Sequence, residues 1–200
     1  MLAPRWQLDW STPLGALRVI EPDLDELSPH IPALAASYNE PHNARLLGHT
    51  SLLTEDDVLE HYAAVARPEG IGLLLFVDGV LAGDADLRDL DEHGGEIAFL
   101  IAAPSAQGKG LGTAFATMIH AAAFTELMLP RIYASILPTN TASRRVFEKL
   151  GHEVDTSEAA RARGEDGDVI LSVERATFLQ RHARAIAEIR RASRRSSSEP

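Results

Sequence analysis

A glycine-rich hexapeptide between an apolar run and a helix-like segment constrains this chain more than any other feature. It reads Gln107-Gly108-Lys109-Gly110-Leu111-Gly112 and follows the nearly continuous apolar run from Glu96 to Ala102. Such a run is typical of a strand buried on both faces of a sheet. Closely spaced glycines let successive main-chain N–H groups converge on an anion, and the next helix points its positive dipole end at the same place. The hexapeptide therefore predicts a strand-loop-helix unit that binds phosphate.

Two common phosphate-binding fingerprints do not fit this loop. The dinucleotide fingerprint needs a third glycine, but counted from Gly110 that position is Phe115. The P-loop needs Ser or Thr after its lysine, whereas Lys109 is followed by Gly110. Coenzyme A is the ligand that remains.

A second motif lies downstream, where residues 140 to 151 read Asn140-Thr-Ala-Ser143-Arg-Arg-Val-Phe147-Glu-Lys-Leu-Gly151. The two segments together resemble the signatures of the GNAT superfamily of acyl-CoA-dependent N-acyltransferases. The loop is similar to R/Q-x-x-G-x-G/A, and the second motif is similar to N-x-x-[AS]-x-x-x-[YF]-x-x-x-G. Their order and separation also fit the superfamily. The whole stretch from Glu96 to Gly151 is similar to the branch of the superfamily that acetylates ribosomal-protein N-termini and many small amines.

The apolar pattern of the chain predicts seven strands alternating with helices. Thr54 to Asp57 is a capping-box-like helix start, and Asp78-Gly79 between two apolar runs is a strong hairpin signal. Residues 39 to 53 are predicted as loop. Strands are predicted at 16–20, 71–77, 80–87, 96–102, 131–137, 152–156 and 168–173. Helices are predicted at 24–38 in two pieces, 54–66, 108–127, 140–150 after a Thr139 cap, and 176–191.

The resemblance implies an α/β (α+β) GNAT-like fold, with a mixed, mainly antiparallel sheet of about seven strands and helices on both faces. Length and 45% apolar content favour one domain over residues 1–192. Within it we expect an acceptor-side portion (1–69), an acetyl-CoA-binding core (70–175) and a C-terminal helix (176–192). Residues 193–200 are predicted to be a disordered Ser/Arg tail.

The resemblance also assigns cofactor contacts. It implies that the exposed main chain of Leu100, Ile101 and Ala102 binds the pantetheine arm and directs an N–H at the thioester oxygen. The hexapeptide would hold the pyrophosphate, with Lys109 either beside the phosphates or solvated. The alternative for residues 100–102 is an ordinary core strand, and because the contacts use main chain, both interpretations are compatible.

The second motif supplies the candidates around the sulfur. The resemblance implies that Asn140 lies near the pantetheine amides and that Ser143 donates a proton to the departing thiolate; a helix cap and a surface serine are the alternatives. Phe147 stands where many relatives have a tyrosine thought to protonate the thiolate, so that acid is absent here. We expect Phe147 to pack against cofactor or core.

Glu96 is the leading candidate for the general base, because many relatives of the N-terminal-acetylating branch carry Glu there. Its alternative role is a strand-end carboxylate in solvent or in a salt bridge. In other relatives the base lies five residues before the motif asparagine, where this chain has Ser135. Asp84 and Asp86 are further candidates; by strand alternation they share a face, and one of them would select a cationic acceptor.

Composition narrows the remaining function classes. The chain has no cysteine, which excludes disulfides, thiolate metal sites and a cysteine nucleophile. The spacing of His42, His49, His61 and His93 matches no metal site, so no metal is predicted. No segment is apolar for long enough to span a membrane or to act as a signal peptide, which predicts a cytoplasmic protein without membrane partners.

Charge is distributed unevenly along the chain. Residues 175–200 hold seven Arg and two Glu, whereas residues 1–174 hold 12 basic and 27 acidic residues. An acidic body repels nucleic acid and attracts a cationic amine, although solubility alone also explains such a charge. No nucleic-acid partner is predicted, because the basic tail lacks interleaved aromatic residues.

The sequence therefore predicts an acetyl-CoA-dependent N-acetyltransferase that uses direct attack of a primary amine. The acceptor is a small-molecule amine or a protein N-terminus. The oligomeric state stays open, with a homodimer as one option. The alternative function is a catalytically weak acyl-CoA-binding sensor or partner-binding module, which the missing tyrosine at Phe147 favours.

Overall fold

A nine-stranded mixed sheet organises the part of the chain that the computed structural model describes, which is residues 5–48, 50–65, 70–164 and 167–192. Its strand order is β7-β8-β6-β5-β4-β3-β2-β1-β9. The strands are β1 Gln7–Thr12, β2 Gly15–Ile20, β3 Ile71–Val77, β4 Val80–Asp91, β5 Gly94–Ile101, β6 Arg131–Ile136, β7 Glu153–Val154, β8 Val169–Glu174 and β9 Arg190–Arg191.

The central pair β5 and β6 is parallel, whereas all other neighbours in the sheet are antiparallel. A parallel pair needs a crossover, which here is the glycine loop and the helix after it. The two strands pair only at Gly95 with Ile132 and at Glu96 with Tyr133. Beyond those pairs they separate, which leaves a gap beside the second half of β5.

Helices cover both faces of the sheet. The main core lies between the sheet and α5, α6 and α8, and a second cluster lies between the opposite face and α1, α2 and α4. The helices are α1 Leu24–Leu27, α2 Ile31–Tyr38, α3 Pro41–Leu47, α4 Glu55–Ala64, α5 Leu111–Thr125, α6 Thr141–Leu150, α7 Glu158–Arg161, α8 Arg175–Arg181 and α9 Ala183–Glu188, with short 3₁₀ turns at Ser28–His30 and Pro104–Ala106.

Local sequence signals account for several element boundaries. Thr54 and Asp57 form the predicted capping box at the start of α4. The β3–β4 hairpin turns on Asp78 and Gly79, both with positive φ, as a two-residue turn requires. Gly151 ends α6 in the left-handed conformation. These predictions are confirmed because each depends on residues close together in the chain.

Four details of the predicted secondary structure were wrong. The sheet has nine strands rather than about seven. The two additional strands are β1, which pairs with β2, and β9, which pairs with β1, and local sequence pattern does not reveal either pairing. The predicted loop 39–53 contains α3, which Glu40 caps. The predicted C-terminal helix breaks at His182 into α8 and α9. Asn140, rather than Thr139, caps α6. Residues 193–200 and His49 lie outside the described residues.

Two buried histidines lie in the aromatic part of the main core. His120 on α5 is fully buried and His152 is 3% exposed, and their Nε2 atoms are 2.9 Å apart. His120 Nδ1 donates to the Ala116 carbonyl at 2.7 Å, so in the neutral ring Nε2 accepts and His152 Nε2 donates. Burial lowers the pKa of His120 to about 3 and also lowers the pKa of His152. Both rings are therefore neutral in the fold.

We predict that this pair makes the fold acid-sensitive. The folded pKa values lie below the unfolded value, so stability is complete above the unfolded pKa of about 6.5 and is lost as pH falls toward the folded values. For His120, with its folded pKa of about 3, the loss between pH 6.5 and 4.5 is about 2 kcal/mol. Urea unfolding at both pH values measures it, and the double variant His120→Leu, His152→Phe should show a smaller loss. An equal loss in the double variant would contradict the prediction.

Candidate active site

The glycine loop forms an anion-binding geometry at the start of α5. Gly110 is the N-cap of that helix with φ 97°, and no side chain caps the first turn. Gly108 also has positive φ, and a Cβ there would meet no atom within 4 Å, so conformation rather than space requires glycine. At Gly112 the requirement is space, because a Cβ would lie 3.0 Å from the Phe99 ring. The first-turn N–H groups therefore stay open toward an anion.

The main chain of β5 presents alternate residues to the gap. The N–H of Ala102 donates to the Ala82 carbonyl at 2.8 Å, in register with the β4–β5 ladder. In an antiparallel ladder every second residue directs its N–H and C=O at the partner strand. Leu100 and Ala102 therefore direct these groups toward β4, whereas Phe99 and Ile101 direct theirs toward the gap. Of the three predicted pantetheine contacts, Ile101 has the orientation that such a contact needs.

The side chain of Gln107 is held by the acceptor side of the chain. Its Nε2 donates to the Ile101 carbonyl and to Asn43 Oδ1, both at 2.8 Å. Asn43 is fully buried, and its Nδ2 donates to the carbonyls of Ala102 and Ser37, both at 2.9 Å. His42 Nε2 lies 3.1 Å from Gln107 Oε1. Helix α3 is thus hydrogen-bonded to both β5 and the phosphate loop.

The second motif places its residues at the start of α6. Asn140 accepts from the Ser143 N–H at 3.0 Å as the helix cap, and its Nδ2 donates to the Leu46 carbonyl of α3 at 3.0 Å. Ser143 is half-buried in the first turn. Phe147 is 2% exposed and packs in the core, with its ring centroid 5.7 Å from that of Phe99. It supplies no acidic hydroxyl.

Charged side chains of β4 and β5 gather on the face that α2 and α4 cover. Asp84, Asp86 and Glu96 are all buried. Arg88 donates to Glu96 Oε1 at 2.7 Å and lies 3.7 Å from Asp86 Oδ1. His61 Nε2 lies 3.1 Å from Asp86 Oδ2. The prediction that Asp84 and Asp86 share a face is confirmed, and Glu96 joins them. We call this group the acceptor-face cluster: Asp84, Asp86, Arg88 and Glu96, with His61, Tyr38 and Tyr62.

Burial governs the protonation of this cluster. It raises the pKa of Asp84 to about 6, against the opposing hydrogen bond from Tyr38. Burial also raises the pKa of Glu96, although Arg88 counteracts the shift. The hydrogen bond with Asp86 raises the pKa of His61. The site therefore holds carboxyl groups that exchange protons closer to neutral pH than ordinary side-chain acids do.

Neither a metal site nor a membrane span is found in the described ranges of the chain. Those residues include no group of three or more His, Cys, Asp or Glu side chains arranged to hold a metal ion. None of their helices has the length and apolar character needed to cross a bilayer.

The sequence model of the acetyltransferase (GNAT) domain matches residues 23–153. The chain belongs to this family. The match includes the glycine loop, the gap and the whole acceptor-face cluster. It confirms the predicted acetyl-CoA-dependent N-acetyltransferase class and its mixed α/β fold. No curated protein sequence gives a significant match.

Solved structures of low sequence identity share this fold. RimJ from Mycobacterium smegmatis in complex with CoA-disulfide has a TM-score of 0.67 at 19% identity, covering 93% of this chain and 96% of RimJ. Spermidine N-acetyltransferase from Vibrio cholerae with CoA and spermine has a TM-score of 0.67 at 17% identity, covering 82% and 98%. Aminoglycoside acetyltransferase AAC(6')-Ib with coenzyme A has a TM-score of 0.66 at 21% identity, covering 82% and 98%.

Sequence reasoning missed the residues that join α3 to the cofactor side. Asn43 lies in a segment predicted as loop, and nothing in its neighbours signals burial. Glu40 followed by Pro41 is a helix-start pattern that would have revealed α3. The cation partners of the carboxylates, Arg88 and His61, were also missed, because their contacts depend on how α4 packs on the sheet.

We predict that Asn43→Ala weakens both the fold and coenzyme A binding. The change removes the donor to the Ala102 carbonyl and the acceptor of Gln107, which leaves buried polar groups unpaired at a cost of roughly 1–3 kcal/mol. Urea unfolding measures the stability, and calorimetry measures the affinity for coenzyme A. His42→Ala is the matched control, because His42 is exposed and contacts the same glutamine. Equal effects of the two variants would exclude a special role for Asn43.

Proposed function

We propose that the protein transfers the acetyl group of acetyl-CoA to a primary amine by direct attack within a ternary complex. The uncapped N-terminus of α5, behind two positive-φ glycines, carries this proposal. It offers main-chain donors for the pyrophosphate of a coenzyme A molecule. The coenzyme A present in three related structures supports the same ligand.

The gap between β5 and β6 would give the pantetheine arm a place next to main chain of β5 that no neighbouring strand pairs. Phe99 and Ile101 direct main-chain groups into it, so the arm would pair with β5 as an added strand does. An N–H of this edge would polarise the thioester carbonyl. Asn140 stands at the far side of the same region as the cap of α6, next to Ser143.

Chemistry at the sulfur requires a proton for the departing thiolate. The Ser143 hydroxyl, in the first turn of α6, is our candidate for passing it on. The buried Phe147 ring excludes a phenol from the neighbouring turn of that helix. A thiol ionises far more readily than an alcohol, so the thiolate of coenzyme A is a good leaving group. It needs little help from an acid, and a weakly acidic serine hydroxyl is therefore sufficient.

The amine acceptor would bind on the acceptor-face cluster. Three carboxyl groups face one guanidinium and one imidazole there, which favours a cation. A carboxylate of this face would take the ammonium proton. Glu96 is the candidate that the sequence favours, and its Arg88 contact fixes its orientation. A polyamine, an aminoglycoside, an amino acid and a protein N-terminus are all acceptors of suitable charge.

Thiol release from acetyl-CoA in the presence of an amine panel tests this function. We expect release above background for at least one primary amine, and saturable coenzyme A binding by calorimetry. Binding without release for any amine would favour the acyl-CoA sensor. Absence of binding would refute both functions.

We predict that the loop binds phosphate through its main chain more than through Lys109. Gly110→Ala forces a side chain into the left-handed region at a cost of roughly 1 kcal/mol, and it should weaken coenzyme A binding several-fold. Lys109→Ala is the matched control and should weaken binding less, because it leaves the N–H groups in place. Calorimetric affinities compare the two variants. A larger effect of Lys109→Ala would mean that charge, not backbone geometry, holds the phosphates.

A further inference from the structure

Among the described residues, Asp84 differs from the other carboxylates of the acceptor-face cluster in having no cation within salt-bridge distance. It is 3% exposed, and its Oδ1 is buried without a hydrogen-bond partner, as are Asp86 Oδ1 and Glu96 Oε2, so the cation contact is what separates the three. Its Oδ2 accepts from the Tyr38 hydroxyl and, at 3.4 Å, from the Tyr62 hydroxyl. In the described parts of the chain no basic side chain lies within salt-bridge distance of it.

The nearby cations are already committed to the other two acids. Arg88 contacts Glu96 and Asp86, and His61 contacts Asp86. A buried carboxylate without a counter-ion destabilises the folded protein, and such groups are typical of functional sites. An incoming ammonium group would supply the missing charge. The titratable and charged groups around Asp84 are Tyr38 on α2, His61 and Tyr62 on α4, Asp86 and Arg88 on β4, and Glu96 on β5.

The position of Asp84 in the sheet suits such a task. It pairs in register with Leu100 on β5, between the two residues whose main chain faces the gap. Neighbouring strands lie about 4.8 Å apart and β5 lies between β4 and the gap, so the carboxylate stands roughly two strand spacings from the gap. An amine nitrogen together with one bridging water molecule would span that distance. Half-buried Tyr38 and Tyr62 cover the carboxylate from the helix side, so the acceptor would enter past them.

We infer that Asp84, rather than Glu96, binds the acceptor ammonium and accepts its proton, and that Glu96 serves to hold Arg88. This inference rests on the proposed N-acetyltransferase function and specifies its substrate class as a cationic primary amine. The Tyr38 and Tyr62 hydroxyls hold Oδ2 in place and leave Oδ1 to meet the substrate. Tyr38 is therefore a positioning residue, and Asp84 a catalytic one.

The proton balance of this step is complete. One ammonium proton passes to Asp84 Oδ1, and the neutral nitrogen forms a bond to the thioester carbonyl carbon. The C–S bond then breaks, and a second proton leaves the nitrogen for the thiolate. The products are the amide, free coenzyme A thiol and one proton, which Asp84 returns to solvent.

The pH dependence of kcat/KM for an alkyl amine tests the assignment. When the enzyme carboxylate reacts with the ammonium form, the profile is bell-shaped, with an acid limb at the pKa of Asp84, about 6, and an alkaline limb at the pKa of the amine. In Asp84→Asn only neutral amine reacts, so the limb near pH 6 and the plateau above it disappear, and kcat/KM instead rises by about tenfold per pH unit up to the pKa of the amine. At pH 7 the loss is about 100-fold or more, within the range known for general-base catalysis.

Two variants separate Asp84 from its neighbours. Glu96→Gln is the matched amide change on the same face and should keep the acid limb. Tyr38→Phe removes a hydrogen bond that lowers the Asp84 pKa, so its acid limb should move to higher pH. Tyr38→Phe also keeps the inference testable if Asp84→Asn does not fold. Loss of the limb in Glu96→Gln, or an unmoved limb in Tyr38→Phe, would overturn the assignment.

An acceptor that is already neutral at pH 7, such as hydroxylamine, distinguishes chemistry from structure. It needs no base, so Asp84→Asn should slow it little while alkyl amines lose activity. A similar loss for both acceptors would mean that Asp84 only supports the fold. Failure of the inference differs from failure of the proposed function, because in the second case the unmodified protein itself releases no thiol from acetyl-CoA with any amine.

Discussion

The separation of β5 from β6 after two residue pairs is the constraint on which the rest of this structure depends. A central strand that stops pairing leaves main-chain donors and acceptors without partners, and such groups are costly unless something binds them. The crossover through the glycine loop produces both the parallel pair and the helix terminus at the mouth of the gap. One topological feature thus creates both the gap that we propose for the pantetheine arm and the helix terminus that we propose for the phosphates of coenzyme A.

The acceptor side is attached to that slot by hydrogen bonds rather than by a large apolar contact. Asn43 reaches the main chain of β5 and the side chain of Gln107, while Asn140 reaches α3 from the opposite direction. Directional bonds fix distances more tightly than apolar packing does. Under the proposed function, helix α3 would therefore set where an acceptor bound near α2 and α4 stands relative to the thioester.

Two kinds of buried ionisable groups change the stability of the fold with pH in opposite directions. His120 and His152 are neutral in the fold, and they lower the free energy of unfolding as pH falls, because the same rings take up protons in the unfolded chain. Asp84 has a raised pKa, so its contribution to stability is present below the unfolded pKa and is lost as pH rises through about 6. The histidine pair belongs to the core, whereas the aspartate lies beside the gap. A fold that keeps a costly charge at that place is the pattern expected of a working site.

The sequence by itself determined the glycine loop, the capping box at Thr54, the Asp78-Gly79 hairpin and the helix stop at Gly151, because each depends on conformations of neighbouring residues. It also determined the family, through two motifs with fixed internal spacing, and the shared face of Asp84 and Asp86, through strand alternation. Only the tertiary structure decided the edge strands β1 and β9 and the break at His182. It likewise decided that Arg88 neutralises Glu96, that Phe147 lies in the core and that no basic residue of the described ranges forms an ion pair with Asp84. Those features arise from contacts between residues far apart in the chain, where local pattern carries no information about which side chains meet.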